Sequence, residues 1–306
     1  MTSPIAERMR AIVEHHGPWT AHNIQLDEHT WTIGPEPTYD SLKLRRVMQI
    51  VSDNMRRPWP ELRALDLACL EGQYALELAR RGAQVVALEG REMNIEKARF
   101  AREALGADRA DFRQEDVRGL SAARHGRFDV VLCLGILYHL DAPDVFEFVR
   151  RIGEVCDGFA VFDTHVSMTP RERREFGGRT YCGESWTEHR ADANEAERLR
   201  KPWLSLDNPT SFKPTRASLF NLLSHHGFTS VYECQMPAEP AKPSDRLTLL
   251  ALRGTPVELN VMPRVNAMPL EEWPERPTRG GLRPPHMGPG PSLIRRLTGA
   301  LTGRDR

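Results

Sequence analysis

Three acidic residues stand in the first half of the chain, each at or just after the end of a short apolar run. Asp66 lies in "ALDL", Glu89 ends "QVVALE" and Asp116 follows "DFRQE". Parallel strands present their carboxyl ends at one edge of a sheet, so we expect the three carboxylates to border one crevice. A carboxylate after the second strand can accept both ribose hydroxyls, and one after the third can accept the adenine amine. The spacing therefore predicts a site for an adenosine-like ligand.

The loop after the first of these runs, "LACLEGQ", lacks two of the glycines that a pyrophosphate-binding loop uses. Such a loop needs three glycines so that the backbone can approach the phosphates closely. Ala68 and Leu70 occupy two glycine-like positions, and Gly72 is the glycine that remains. We expect Ala68 to adopt a negative φ, which alanine tolerates. The loop favours a ligand that joins adenosine to a charged amino-acid tail without phosphate, and S-adenosylmethionine is such a ligand.

Histidines follow the fourth and fifth apolar runs. Tyr138 and His139 lie near the end of "FDVVLCLGILYHL", and Asp163 and His165 lie in "FDTHVS". Methyl transfer from a sulfonium is an in-line displacement, and a neutral imidazole can remove the proton of the nucleophile. We predict His139, His165 and Asp163 as catalytic residues, and a hydrogen-bonded structural role for His139 is equally open. The spacing of these groups does not match a metal site, and we predict no metal.

The elements that position these residues follow from the hydrophobic pattern. From about 62 to 166 short apolar runs alternate with amphipathic stretches, a pattern typical of βαβ units. The rhythm resumes after 215 with one further helix and two strands. The predicted strands are Leu62–Leu67, Gln84–Glu89, Ala110–Gln114, Phe128–Leu134, Phe159–Asp163, 228–235 and 246–252, and the helices between them include 72–81, 92–105 and 142–155. The fold class predicted is α/β, with a doubly wound, mostly parallel, seven-stranded Rossmann-like sheet.

Composition shifts divide the chain into three parts. Residues 1–60 are predicted to form an N-terminal helical cap, and 61–254 an S-adenosylmethionine-binding domain. A polar segment at 167–215 interrupts that domain and is predicted to be a helical or polar lid that faces the substrate. Residues 255–306 are rich in proline and are expected to form an extended arm and tail, whose final basic amphipathic stretch has no assigned role.

The polar segment and the fourth run also supply candidates for contact with an acceptor. Their aromatic, amide and imidazole side chains could stack on or hydrogen-bond to a planar or polar molecule. The predicted substrate residues are Tyr138, Tyr181, Trp186, His189 and Asn208. Packing of the same aromatic side chains onto the domain is the alternative.

The motifs resemble those of the class I S-adenosylmethionine-dependent methyltransferases across about 62–253. The resemblance rests on "DLACLEG", which has alanine at the family's usual first glycine, on "GREMNIEKARF" and on "LCLGILYHL". It implies that the first loop wraps the methionine part, that the acid of strand two binds the ribose and that the acid after strand three contacts adenine. Carried over, the cofactor-binding residues are Asp66, Ala68, Gly72, Glu89, Gly90, Asp116, Val117 and Gly135.

Methyl transfer to the oxygen, nitrogen or carbon of a small molecule is the function that this sequence favours. With 42 basic and 42 acidic residues the formal net charge is zero, which argues against a nucleic-acid track. An RNA- or tRNA-modifying enzyme of the same fold is the first alternative. It requires a basic surface near the site, and the available arginines are Arg171, Arg173, Arg174, Arg179 and Arg190. A catalytically silent S-adenosylmethionine-binding subunit is the second alternative.

The remaining features bear on location and assembly. The five cysteines include no CxxC pair, the first ten residues contain no apolar run, and no stretch approaches the length of a membrane span. We therefore expect a cytoplasmic protein with no membrane span. The sequence does not fix the oligomeric state, and a homodimer is one option.

Overall fold

The strands of this computed structural model lie within residues 3–275, the part of the chain that it describes. They are β1 Arg63–Leu67, β2 Gln84–Glu89, β3 Ala110–Gln114, β4 Phe128–Leu134, β5 Cys156–His165, β6 Glu172–Phe176, β7 Arg179–Thr187, β8 Thr210–Pro214, β9 Phe228–Glu233 and β10 Arg246–Arg253. A central sheet has the order β3-β2-β1-β4-β5-β10-β9. Strands β1 to β5 pair in parallel, and β10 runs antiparallel to β5 and β9. The mostly parallel seven-stranded sheet predicted from the sequence is confirmed.

Helices cover both faces of this sheet. They are α1 Pro4–His16, α2 Tyr39–Asn54, α3 Gln73–Arg80, α4 Glu92–Leu105, α5 Ala122–His125, α6 Asp144–Val155, α7 Glu195–Leu199 and α8 Arg216–His225. One hydrophobic core joins the sheet to α1, α2, α3 and α4, and a second joins it to α6 and α8. The sheet is therefore doubly wound, as predicted, and the N-terminal helices share its core.

Local sequence explains where these elements form. Val130, Val131 and Leu132 in β4 are fully buried, because helices cover both faces of the strand and alternation is not required. Helix α4 ends at Gly106, whose φ of 59° is left-handed and costs glycine little. Helix α8 begins after Thr215, whose side chain accepts the N–H of Ser218.

The polar segment differs from the predicted helical or polar lid. Strands β6, β7 and β8 form an antiparallel sheet, and α7 is the one α-helix of 167–215. Four charged residues follow one another in β6 (Glu172, Arg173, Arg174 and Glu175), and some of them pair inside the sheet: Glu172 contacts Arg174 at 2.5 Å and accepts the N–H of Ser185 at 2.9 Å. A Cβ at Gly183 would lie 2.3 Å from the carbonyl of Lys213, so glycine lets β7 and β8 approach. Strand geometry satisfies these polar groups, and the charge pattern conceals it from a search for apolar runs.

The described part of the proline-rich arm, 255–275, is mostly exposed and lies against α8 near its end. The Trp273 ring packs on Phe220 with 5.1 Å between ring centroids, and Glu275 accepts the hydroxyl of Thr215 at 2.6 Å. The predicted terminal amphipathic stretch and the rest of 276–306 lie outside the described residues. Among residues 3–275, no helix has the length and apolar character needed to cross a bilayer.

Candidate functional site

A cavity of about 530 Å³ opens at the carboxyl ends of β1, β2 and β4. Its floor is built from the strand ends and the loop 68–70. One wall comes from the N-terminal residues 20–22 together with α2, and another from 202–208 in the polar segment. A ligand at this edge of a doubly wound sheet lies where the strand order reverses, as is usual for the fold class.

The three predicted carboxylates border this one cavity. Glu89 is buried and accepts the N–H of Leu70 at 3.0 Å and of Arg91 at 2.9 Å. Burial raises its pKa, although these hydrogen bonds and the Arg91 charge oppose the change. Asp66 is also buried, and its Oδ2 atom has no hydrogen-bond partner among residues 3–275. Burial raises the pKa of Asp66 to about 7.

Asp116 is more exposed than the other two acids and is held by Arg118. The Asp116 carboxylate accepts Nε and Nη2 of Arg118 at 2.9 and 2.5 Å, and the same Nη2 lies 2.7 Å from Asp207 Oδ2. Arg118 thus joins the end of β3 to the wall formed by 202–208. Oδ1 of Asp116 also accepts the backbone N–H of Arg118 at 2.8 Å, so a further donor would share an oxygen of Asp116 with Arg118.

The loop after β1 adopts a conformation that the sequence did not indicate. Ala68 and Leu70 have φ angles of 53° and 49°, so the expectation of a negative φ at Ala68 is wrong. These left-handed conformations cost an L-residue roughly 1 to 2 kcal/mol each. The N–H of Cys69 donates to the carbonyl of Leu88 at 2.9 Å, and Glu89 holds the N–H of Leu70, so contacts with β2 fix the turn.

The predicted cofactor glycines divide into two roles. Gly72 does not line the cavity: it precedes α3 with φ 83°, and a Cβ there would lie 2.7 Å from the Phe112 ring. Gly90 and Gly135 do line it, as does Val117. A Cβ at Gly90 would lie 2.9 Å from Leu206, so this glycine lets the polar segment pack on the end of β2.

His139 lines the cavity and forms a hydrogen-bonded pair with Glu188. The distance from His139 Nδ1 to Glu188 Oε2 is 2.9 Å. Glu188 also accepts the N–H of Ser205 at 2.8 Å and the hydroxyl of Ser211 at 2.7 Å. Burial raises the pKa of Glu188, but its hydrogen bonds and the His139 charge outweigh burial and hold the pKa below its usual value. An ionised Glu188 accepts a proton-bearing Nδ1, which leaves Nε2 of His139 as the basic nitrogen.

Sequence reasoning missed Glu188. Its only signal was a place in the polar segment, in "SWTEHRAD". A carboxylate there pairs with a histidine 49 residues earlier only because β7 and β8 fold back over the end of β4. Local spacing carries no trace of that contact.

The other two predicted catalytic residues lie outside the cavity lining. Asp163 is fully buried, contacts Arg246 at 2.6 Å and accepts the hydroxyl of Thr248 at 2.8 Å. His165 Nδ1 lies 2.9 Å from Asp245. Arg246 does line the cavity, so Asp163 contacts a guanidinium that borders the site.

Two of the five predicted substrate residues line the cavity, Tyr138 and Asn208. The other three do not. Tyr181 is buried in the core, where its ring stacks on Phe146 at 5.0 Å. Trp186 is 55% exposed and carries Lys213 over its ring, and His189 is buried with Nε2 2.9 Å from the carbonyl of Ser205. Periodicity could not separate inward from outward side chains in a segment whose strands were not predicted.

The arginines of the polar segment do not form a free basic surface. Most of them contact acids: Arg171 contacts Glu184, Arg174 contacts Glu172, Arg179 contacts Glu272 and Arg190 contacts Asp192, at 2.5 to 2.7 Å. Neutralised arginines give little attraction for phosphates. Among residues 3–275, no cluster of three or more His, Cys, Asp or Glu side chains has the arrangement to hold a metal ion.

Comparisons with known proteins agree with this architecture. Residues 64–157 match the family model described as a methyltransferase domain. The ubiquinone biosynthesis O-methyltransferase of Azorhizobium caulinodans is 39% identical over 99 residues, 32% of this chain and 38% of that protein. That of Azotobacter vinelandii is 38% identical over 81 residues, 26% of this chain and 34% of that protein. The crystal structure of the N-terminal domain of EvdMO1 with S-adenosylhomocysteine and D-fucose has a TM-score of 0.62 at 24% identity, and the match covers 83% of this chain and 98% of that one.

The matches fix the domain and the fold. The chain spans little more than a third of the length of these two curated relatives. Residues 64–157 form a methyltransferase domain, and the predicted class I S-adenosylmethionine-dependent methyltransferase fold is confirmed.

Proposed function

We propose that this chain is an S-adenosylmethionine-dependent methyltransferase that acts on a small-molecule acceptor. The observation that carries the proposal is the set of three strand-end carboxylates, Asp66, Glu89 and Asp116, around one cavity beside a loop unsuited to pyrophosphate. The methyltransferase domain match and the curated O-methyltransferase relatives support it.

The residues present fit this cofactor. Asp66 offers an unpartnered carboxylate oxygen to an ammonium group, Glu89 offers lone pairs to the ribose hydroxyls, and Asp116 offers an acceptor to the adenine amine. When bound, the cofactor supplies an electrophilic methyl group on a sulfonium. The protein excludes water with the walls 20–22 and 202–208.

His139 is the proton acceptor in this proposal. Glu188 holds the proton of the imidazole on Nδ1, so Nε2 can take the proton of an acceptor hydroxyl or amine as the methyl group transfers. The Tyr138 ring lies beside the imidazole, with 4.3 Å between ring centroids, and Asn208 donates to the backbone carbonyl of His139 at 2.9 Å and so holds its main chain.

A small acceptor suits the enclosure better than RNA does. Residues 202–208 form one wall of the cavity, and Arg171 and Arg190 of the polar segment contact acids. The three carboxylates Asp66, Glu89 and Asp116 and the His139–Glu188 pair favour an active enzyme over a catalytically silent subunit. A cytoplasmic location remains part of the proposal, and the five cysteines, all free thiols, are compatible with it.

A transfer assay with methyl-labelled S-adenosylmethionine tests the proposal. The wild-type chain is incubated separately with a panel of hydroxylated and amino-substituted small molecules and with bulk tRNA. We expect label in at least one small molecule and its loss in Glu89→Gln. Label in tRNA alone would overturn the choice of acceptor class, and label in neither would count against the activity.

A further inference from the structure

We propose that the N-terminal residues His22 and Lys43, together with Tyr74 and Asp66, form a site for the zwitterionic amino-acid head of the cofactor. The inference rests on the proposed function and adds binding residues from outside the matched domain of 64–157. Asp66 takes the ammonium group, and the other three side chains donate to the carboxylate. All four line the cavity.

His22 is a fixed neutral donor. Its Nδ1 accepts the backbone N–H of Gln73 at 3.2 Å, and because that group can only donate, the imidazole proton lies on Nε2. Burial lowers the pKa of His22 to about 3, so the ring stays uncharged and cannot act as a base near neutral pH. Its use to a ligand is therefore the Nε2–H donor.

Tyr74 and Lys43 lie beside His22. The His22 and Tyr74 rings meet edge to face with 5.6 Å between centroids, and Lys43 Nζ lies 5.9 Å from the centre of the Tyr74 ring. The Tyr74 hydroxyl is buried and has no hydrogen-bond partner among residues 3–275. Lys43 gives one of its three N–H groups to Asp40 at 2.8 Å, which leaves two for a ligand. An unsatisfied buried hydroxyl between a cation and a fixed N–H donor suits a carboxylate.

Asp66 supplies the opposite polarity. Its unpartnered Oδ2 is a buried acceptor. Burial is the main cause that raises the pKa of Tyr74, and the charges of Asp40, Asp163 and Asp66 add to it. The cavity lining thus includes a carboxylate acceptor and a hydroxyl donor that both lack a partner among residues 3–275. An α-amino acid head carries one group for each of them, an ammonium donor and a carboxylate acceptor.

Glu71 explains why an N-terminal residue can take part. Its fully buried carboxylate accepts the N–H groups of Thr20, Ala21 and His22 at 2.6, 3.2 and 3.1 Å, and Lys97 lies 3.5 Å away. Glu71 belongs to the loop after β1, so the loop that borders the ligand also holds the segment that carries His22. Glu71 is a positioning residue here.

Calorimetry with two ligands tests the inference. S-adenosylhomocysteine carries both groups of the amino-acid head, whereas its decarboxylated analogue keeps only the ammonium group. His22→Asn retains an acceptor for the Gln73 N–H but lacks the Nε2–H donor. We expect it to weaken S-adenosylhomocysteine about tenfold and the analogue little, since a hydrogen bond to a charged group is lost only with the former.

Matched variants complete the design. The double variant Asp40→Asn/Lys43→Met leaves the net charge unchanged. Like His22→Asn, it should weaken the binding of S-adenosylhomocysteine more than that of the decarboxylated analogue. Asp66→Asn should weaken the binding of both ligands. His22→Gln, which restores an N–H near the Nε2 position, should recover part of the affinity, and exposed His29→Asn is the control. Equal effects of His22→Asn on both ligands, or none, would overturn the inference and leave the proposed function standing. Failure of the wild type to bind either ligand would overturn both.

Discussion

At the scale of single residues, the proposed chemistry depends on which atoms of His139 and Asp66 carry a proton. Glu188 fixes the tautomer of His139, and Asp66 is buried without a partner on one oxygen. Both effects come from residues brought together by the fold. Asp66 could be predicted because it ends an apolar run, whereas Glu188 sits among other charged residues and could not.

Replacement of Glu188 by glutamine should slow the reaction. The amide keeps the size of the side chain but no longer holds a proton on Nδ1 of His139 by charge, so Nε2 becomes a poorer base. We expect kcat to fall about 100-fold, with little change in the KM for S-adenosylmethionine. Steady-state kinetics would measure both constants, and Glu184→Gln, outside the cavity lining, is the matched control. An unchanged kcat would remove His139 from the role of base.

The affinity for S-adenosylhomocysteine should depend on pH through Asp66. Its pKa of about 7 means that the free protein must lose a proton at lower pH before the carboxylate can pair with an ammonium group. Affinity should therefore rise from about pH 5.5 to about pH 7 and level off above. The Glu89 charge also raises the pKa of Asp66, and burial raises the pKa of Glu89 itself. The variant Asp66→Asn is therefore needed to assign the pH dependence of binding to Asp66. A pH dependence of equal size in Asp66→Asn would assign it to another group.

At the scale of elements, strand ends were predictable and the segments that close over them were not. Strands β1 to β4 lie within a residue of their predicted bounds, and β1, β2 and β4 are mostly apolar. The segment 20–22 has no periodicity and is held by Glu71, about 50 residues away in sequence. In the insertion, Glu172 of β6 accepts the N–H and the hydroxyl of Ser185 in β7. Non-local hydrogen bonds, which leave no local signal, decide both conformations.

The strained loop after β1 makes a test of local conformation. Ala68→Gly removes a Cβ from a residue at φ 53°, so we expect the free energy of unfolding to rise by about 0.5 to 1 kcal/mol after the added flexibility of the unfolded chain is counted. Denaturant titration would measure the change. Gly72→Ala is the control and should lower the free energy of unfolding, because its Cβ would lie 2.7 Å from the Phe112 ring. A loss of stability in Ala68→Gly would show that the φ at this position is not strained.

Arg91 should hold the wall 202–208 in its conformation. Its guanidinium donates to the carbonyls of Leu199, Lys201, Leu204 and Ser205 at 2.9 to 3.1 Å. Arg91→Met leaves those carbonyls without their donor, so we expect faster amide hydrogen exchange across 199–208 and weaker binding of S-adenosylhomocysteine. Arg99→Met is the control, because Arg99 lies in α4, the helix that begins directly after Arg91. Unchanged exchange in 199–208 would show that other contacts hold this wall.

At the scale of the whole molecule, the matched domain supplies the floor of the site and other segments supply its walls. The floor residues lie within 64–157, while 20–22, α2 and 202–208 lie outside. In the proposed function the floor would bind the adenosyl part of the cofactor, and the walls would contact the acceptor. Relatives that align only over the floor therefore carry no information on the walls, and we expect the walls to decide the acceptor.

Calorimetric titration with S-adenosylhomocysteine, on the wild type and on Glu89→Gln, tests the central claim most directly. Matched thermal unfolding of the two proteins would show that the variant is folded. We expect the wild type to bind with a Kd on the order of micromolar and Glu89→Gln to bind at least about tenfold more weakly. No binding by the wild type, or equal binding by both proteins, would contradict the assignment of this cavity to the cofactor.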